Sequence, residues 1–342
     1  MRVGILTGGG DCPGLNAVIR AVVRKAERHY GDTVIGFCDG WRGVVENDWM
    51  PLDVAACRGL LPKGGTMLGT SRHTPFGLPD GVARAADTVR GLEVDALIAV
   101  GGEGTLSCAA AMSGRGFSVV GVPKTIDNDV AGTERTFGFD TAVTVATEAI
   151  DRLHTTAESH DRVIFVEVMG RHVGHIATWA GIAGGASYIL VPEEPFDLDE
   201  LCSALLRRHS RGRYASIVVV AEGARPRAGT LEVEEPPVDA YGHKRLGGIA
   251  NVIAAEVEAR TGLETRVTIL GHVQRGGSPT PLDRVLATRF GVAAIDAVHD
   301  EAFGQMVAVD GGAIRLVTLA EATAHVKPVG RDLLDVAHTF FA

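Results

Sequence analysis

Residues 96–106 read Ala-Leu-Ile-Ala-Val-Gly-Gly-Glu-Gly-Thr-Leu, and residues 119–129 read Val-Val-Gly-Val-Pro-Lys-Thr-Ile-Asp-Asn-Asp. Each is a short apolar run that barely alternates and stops abruptly at glycine or charge. Such a run, rich in Val and Ile, is expected of a strand buried on both faces. Four more fit: Val3–Leu6 before Thr7-Gly8-Gly9-Gly10, Val163–Val168 before Met169-Gly170-Arg171, Ile217–Ala221 before Glu222-Gly223, and Val267–Leu270 before Gly271-His272. Helical spacing lies between them. Asn16–Glu27 carries Val18, Val22, Val23 and Ala26 on one face. Asp140 reads as the N-cap of a helix reaching about Leu153, with Val143, Ala146, Ala149, Ile150 and Leu153 at helical spacing. Alternating strands and helices predict an α/β fold of mostly parallel sheets covered by helices. In such sheets ligands bind beyond the carboxyl ends of the strands, where these runs deliver glycine and charge.

The chain has 342 residues, 33 Lys plus Arg against 42 Asp plus Glu, and a net charge of -9. That balance, with no basic stripe, argues against nucleic acid as the main partner. No apolar run approaches the roughly 18 residues a membrane helix needs, and the apolar start at Val3 ends too soon for a signal peptide. Length predicts about two domains. The five cysteines are Cys12, Cys38, Cys57, Cys108 and Cys202, with no CxxC pair; a disulfide framework is not expected and a reducing cytoplasm fits. The least regular stretch is Gly223–Gly248, with Pro226, Pro236, Pro237 and an acidic cluster at Glu232, Glu234 and Glu235; it reads as a surface excursion holding a hairpin.

Three loops carry chemistry. Thr7–Asn16 is a strand, a glycine turn and a helix start, which suits phosphate binding as well as a plain tight turn. It is no P-loop, because Leu15-Asn16 follows Gly14, and no dinucleotide fingerprint, because Pro13 takes the third glycine position. In Gly101–Thr105 the carboxylate of Glu103 between glycines suits Mg²⁺ carried on phosphates; a solvated turn is the alternative. In Pro123–Asp129, Asp127 suits a general base for phosphoryl transfer and Asp129 a residue that orients a metal or an arginine, against the alternative of an Asx-rich turn. Arg72, Arg171 and Arg275 lie beside glycine at other strand ends, and Arg162 and Arg266 immediately precede strands. Singly each reads as a surface arginine; together, in an acidic protein, they suit phosphate recognition. The pairs His172 with His175 and His154 with His160 lack partners at zinc-site spacing, and neither HExxH nor GxSxG occurs.

Taken in order, Thr7–Gly14, Lys63–Arg72, Gly101–Thr105, Thr125–Asp129, Val166–Arg171 and Leu270–Gly277 resemble the motifs of the bacterial-type 6-phosphofructokinases from end to end, in particular an actinobacterial branch. The resemblance implies two Rossmann-like three-layer α/β/α domains with the active site in the cleft between them. The donor domain would be 1–138 plus about 274–323, and the fructose 6-phosphate domain 139–273 plus about 324–342. It implies a cytoplasmic glycolytic kinase passing the γ-phosphoryl of Mg-ATP to the 1-hydroxyl of fructose 6-phosphate. Gly10, Arg72, Gly102, Glu103, Gly104, Thr105 and Lys124 would bind the donor, with Glu103 holding Mg²⁺. Asp127 would be the base, with Thr125 beside it and Arg72 and Arg171 stabilising the moving charge. Ile126, Met169, Gly170, Arg171, Glu222, His272, Val273, Gln274 and Arg275 would contact the sugar phosphate. Arg162 and Arg266 would be donated by a neighbouring subunit of a homo-oligomer, usually a tetramer.

The donor is set by two positions. Pyrophosphate users of the family carry Asp where this chain has Gly104 and Lys where it has Lys124. Without a side chain, position 104 leaves space for the α-phosphate and nucleoside of ATP, whereas Lys124 suits either donor. The expectation is therefore ATP, with pyrophosphate the alternative and a non-catalytic sugar-phosphate sensor, or another kinase sharing the Gly101–Thr105 pattern, more distant. Arg20, Arg24, Arg211 and Arg213 match part of the family's effector site. Ser187, Tyr214 and Val54 depart from it, so the usual effector control is not expected.

Overall fold

The computed structural model describes residues 1–233 and 246–341. In chain order the elements are β1 (Arg2–Thr7), α1 (Leu15–Lys25), β2 (Thr33–Phe37), α2 (Trp41–Glu46), β3 (Trp49–Leu52), α3 (Gly81–Gly91), β4 (Ala96–Gly101), α4 (Glu103–Ser113), β5 (Val119–Thr125), β6 (Phe137–Gly138) and α5 (Phe139–His160). Then come β7 (Val163–Val168), α6 (His175–Ala183), β8 (Tyr188–Leu190), α7 (Leu198–Ser210), β9 (Ser216–Ala221), α8 (Ile249–Thr261) and β10 (Thr265–Ile269). The chain closes with α9 (Pro281–His299), β11 (Gln305–Asp310), β12 (Ala313–Thr318), α10 (Leu319–Ala322) and α11 (Arg331–His338).

Two compact units result, each Rossmann-like. Unit 1 is Met1–Thr141 with Arg275–Lys327, and unit 2 is Ala142–Gln274 with Pro328–Ala342. The unit 1 sheet runs β12-β11-β5-β4-β1-β2-β3, with β6 on β5. The pairs from β2 through β11 are parallel, and only the outer β3 and β12 run antiparallel. The unit 2 sheet, β10-β7-β9-β8, is parallel throughout. Every residue of β4, β5, β7 and β9 is buried, as unalternating Val/Ile runs require. In unit 1, Gly291 brings α9 onto α1; a Cβ there would sit 2.8 Å from Ala21 Cβ. No helix among the described residues is long and apolar enough to cross a membrane.

Five local expectations change. Helix α5 begins at Phe139, so Asp140 lies in the first turn and is not the N-cap; its carboxylate accepts from Thr280 Oγ1 at 2.6 Å. The same helix passes Leu153 and reaches His160, because Thr155 and Ser159 bond back to helix carbonyls while Ala157 is buried. Arg266 lies inside β10 and does not precede it, and β10 itself is half exposed, because it is the sheet edge. Arg72 is at no strand end; it sits in the irregular stretch between β3 and α3. Of the expected 223–248 excursion, residues 234–245, with Pro236, Pro237, Glu234 and Glu235 and the hairpin reading, lie outside the described residues.

Candidate active site

In unit 1 the chain leaves β1 for β2 on one side and returns to β4 on the other, so the strand order reverses between β1 and β4. At such a reversal point the loops after neighbouring strands diverge, and the carboxyl edge there is the usual ligand position in this architecture. The loops are those singled out by sequence. Gly8 N donates to Val100 O at 2.9 Å. Gly8 has no side chain for a packing reason, since a Cβ would lie 2.6 Å from Thr105 Oγ1 in the neighbouring loop. The stretch before Arg72 is sewn to the same place: Thr7 Oγ1 donates to Gly69 O at 2.8 Å, Gly9 N to Ser71 O at 2.9 Å, and Thr70 Oγ1 to Gly9 O at 2.6 Å. Asn16, buried at the start of α1, donates to Gly64 O at 3.1 Å and accepts from Met67 N at 2.9 Å.

Charge collects on these loops. Lys124, buried at the end of β5, donates through Nζ to Gly10 O. Burial pushes its pKa down, and an arriving anion would favour its ammonium form. Arg275 Nη1 donates to Asp11 O at 3.2 Å, which puts a second cation against Gly10. Thr125 Oγ1 accepts from Asp127 N at 3.0 Å. Asp127 is buried, and its Oδ1 has no hydrogen-bond partner among the described residues. Ile126 is fully buried between them. Gly102 follows β4 as the N-cap of α4, and exposed Glu103 opens that helix with Oε1 3.0 Å from Ser107 Oγ. A Cβ on Gly104 would meet nothing within 4 Å. Among the described residues no three His, Cys, Asp or Glu gather as a metal cage. A single exposed carboxylate does fit a Mg²⁺ that brings phosphate oxygens as its other ligands.

In unit 2 the order reverses between β7 and β10, and the loops after those strands carry Met169–Arg171 and His272–Gln274; Arg275, next in the chain, opens the second segment of unit 1. Arg171 sits at φ 52, and its amide donates to Glu222 Oε1 at 3.0 Å, just past β9. Gly223 carries no side chain because a Cβ would collide with Arg171 O. Gln274 is fully buried and works as a brace, accepting from Met169 N at 3.4 Å and donating to Gly271 O at 3.1 Å. Val273 is 61% exposed. Arg162 and Arg266 are not brought to this edge. They sit at the opposite end of the sheet, both paired with Glu264, whose pKa is lowered chiefly by the Arg162 hydrogen bond. A six-residue strand separates Arg162 from Met169, a span of roughly 20 Å. Ser187 is buried ahead of β8, its hydroxyl accepting from Ile217 N at 3.4 Å.

The motif reading passes over several residues that shape these loops: Asn16, Asn128, Thr136, Glu167, Asp283 and Lys327. Glu167 is legible in hindsight as the one charge inside the run Val163–Val168; it accepts from Gly248 N at 2.7 Å and Ala250 N at 2.9 Å and so fixes the start of α8. Asn16, Asp283 and Lys327 lie far in sequence from the segments they hold, whereas Asn128 and Thr136 belong to the loop they shape.

Glycine loops, a buried lysine and a half-buried arginine at the reversal point of a parallel sheet, with a carboxylate alongside, suit an α/β phosphotransferase. A family model described as Phosphofructokinase matches residues 2–298. The chain is 57% identical over 342 residues, the whole of both proteins, to a pyrophosphate–fructose 6-phosphate 1-phosphotransferase of Streptomyces coelicolor. It is 58% identical over 329 residues, 96% of each, to the ATP-dependent 6-phosphofructokinase 3 of the same organism. Among solved structures, the phosphofructokinase of Saccharomyces cerevisiae superposes with a TM-score of 0.82 at 33% identity, covering 99% of this chain and 46% of the yeast one, so this chain spans about half of that subunit. The chain belongs to the phosphofructokinase family.

Proposed function

We propose that the protein transfers the γ-phosphoryl group of Mg-ATP to the 1-hydroxyl of fructose 6-phosphate, giving fructose 1,6-bisphosphate and ADP. The observation that carries this reading is the convergence of Gly8–Gly10, Gly102–Thr105 and Lys124–Asp127 at one reversal point, with Lys124 bonded across to Gly10. Unit 1 is read as the donor unit. Its glycines admit phosphate oxygens, while Lys124 and Arg72 offset their charge. Glu103 would hold the Mg²⁺ that neutralises the donor. Asp127 takes the hydroxyl proton; its partnerless buried oxygen is ready to accept one. Unit 2 supplies Met169, Gly170, Arg171 and Glu222 for the sugar, Arg171 for the migrating charge and His272 for the 6-phosphate. Arg275 serves that phosphate too, and its contact with Asp11 O adds positive charge to the donor loop. Arg162 and Arg266, remote from Met169 in their own sheet, are read as donated to a neighbouring copy, in an assembly of the tetrameric kind. The cysteine pattern fits a cytoplasmic enzyme.

ATP is favoured over pyrophosphate because the space at Gly104 is open. Pyrophosphate is the second reading, supported by Lys124 and by the relative of 57% identity that bears that donor in its name. Initial rates with fructose 6-phosphate, Mg²⁺ and either donor in separate reactions test the choice, read as fructose 1,6-bisphosphate formed. A higher rate with ATP than with pyrophosphate is expected. Product with pyrophosphate alone overturns the Gly104 argument, and no product with either overturns the reading as a whole.

A further inference from the structure

The loop that carries Asp127 leaves β5 and returns at β6, and it has no ladder of its own. Its shape is set by a residue 199 positions away. Lys327, the last residue of unit 1, donates through its backbone N–H to Asp129 O at 2.8 Å, and its neighbour Val326 bridges Val130. Its Nζ reaches Asn128 Oδ1 at 3.2 Å, Thr133 O at 2.9 Å and Glu134 O at 2.9 Å, an acceptor for each ammonium proton. Asn128 Oδ1 also accepts from Thr136 N at 3.1 Å, and Thr136 Oγ1 donates to Thr125 O at 2.7 Å. Both ends of the loop are thus tied to the residue that follows Asp127.

That residue is in an unusual state. Asn128 has φ 53, a left-handed conformation that costs a non-glycine residue energy and persists only when its surroundings enforce it. The enforcing contacts are those to its side chain, from Lys327 and Thr136. A buried ammonium is itself costly unless well bonded, and here the three Nζ hydrogen bonds to Asn128, Thr133 and Glu134 go to this one loop. Burial pushes the Lys327 pKa down to about 8, opposed by Asp129 and Glu134 and reinforced by Arg135. A neutral side chain of similar length would fill the space without that cost and without the three contacts.

We propose that Lys327 is a positioning residue for phosphoryl transfer: through Asn128 it holds the 126–136 loop in the shape that aims the Asp127 carboxylate at the acceptor hydroxyl. The proposal rests on the reading of Asp127 as the base. Because Lys327 acts on the base, its loss acts on turnover and leaves binding of fructose 6-phosphate in place. Because it acts through Asn128, the two residues are coupled.

The test compares the full-length wild type with K327M, N128G, the double variant and D127N. N128G deletes the acceptor while glycine keeps the left-handed backbone accessible. Each protein is assayed with saturating donor, for kcat and for KM of fructose 6-phosphate, and melted to confirm folding. K327M is expected to lose about 100-fold in kcat, the scale of a small misplacement of a reacting group, with KM within threefold of wild type. The double variant is expected to be no slower than K327M within threefold. Losses that multiply in the double variant, or a KM that rises as kcat falls, overturn the mechanism through Asn128. Should K327M fail to fold, an unchanged kcat in N128G is enough to overturn it. Wild-type turnover in K327M while D127N is dead overturns the positioning role alone. Wild-type turnover in D127N overturns the base assignment, and the positioning role with it.

Discussion

Replacing Gly104 by Asp tests the donor argument most directly, because the structure separates its effect on ligand from its effect on the fold. Gly104 lies in the first turn of α4, is exposed, and would place a Cβ within 4 Å of nothing. The protein therefore tolerates the side chain. Aspartate in a helix is no worse than glycine, and a carboxylate in the first turn gains about 0.3–1 kcal/mol from the helix dipole. The melting temperature should be unchanged or slightly raised. The donor sees a different site. A carboxylate about 4 Å from an α-phosphate costs about 4 kcal/mol at an effective dielectric near 20. The exposure of this turn lets water screen part of it, leaving about 2 kcal/mol, or roughly 30-fold in kcat/KM for ATP. Pyrophosphate has no α-phosphate beyond the transferred pair and should lose less than threefold. The assay is kcat/KM for each donor at saturating fructose 6-phosphate, beside a thermal melt. A folded variant whose ATP value stays within threefold of wild type would refute the reasoning. So would an equal fall for both donors, since the side chain would then act on something other than the α-phosphate.

Asp127→Ser should cut turnover by about 100-fold or more, the usual contribution of a general base; turnover within tenfold of wild type would remove Asp127 from that role. Asp283, buried in unit 1 and accepting from Thr141 N at 2.8 Å and Thr141 Oγ1 at 2.5 Å, has its pKa raised from 3.8 to about 6, mainly by burial. The folded state thus holds this proton more tightly than the unfolded chain does. The stability it contributes is full below pH 4 and is lost as pH rises towards 6, by up to about 3 kcal/mol. Asp283→Asn should abolish that decline, so urea titrations at pH 4.5 and 7 should show the variant gaining on the wild type with pH; a constant difference would contradict the shift. Gly8→Val should cost about 1–3 kcal/mol through the clash with Thr105 and weaken donor binding in what remains folded; an unchanged melting temperature would show that the two loops give way easily.

Much of this protein was legible before any coordinate. Buried parallel strands announce themselves because both faces are dry, so Val119–Val122 and Val163–Val168 need no polar alternation. The glycine loops stand out because a strand that ends in Gly-Gly-Glu-Gly can only turn. Boundaries were less legible. The edge position of β10 and the first turn of α5 depend on neighbours, and an Asp reads as an N-cap whether its carboxylate caps its own helix or, like Asp140, accepts from Thr280.

Sequence by itself determined the residue types, their order and the strand ends that bear them, because periodicity and glycine placement are local properties of the chain. Only the tertiary structure decided which ends meet. Strand order β5-β4-β1 sets Lys124 beside Gly10, and order β9-β7-β10 sets Glu222 and Gln274 on either side of Met169–Arg171. The same pairing sends Arg162 and Arg266 to the far end of their sheet. Lys327 and Asn128 became one feature in the same way. Contacts across such separations depend on how the strands and helices pack, and no spacing along the chain records that packing.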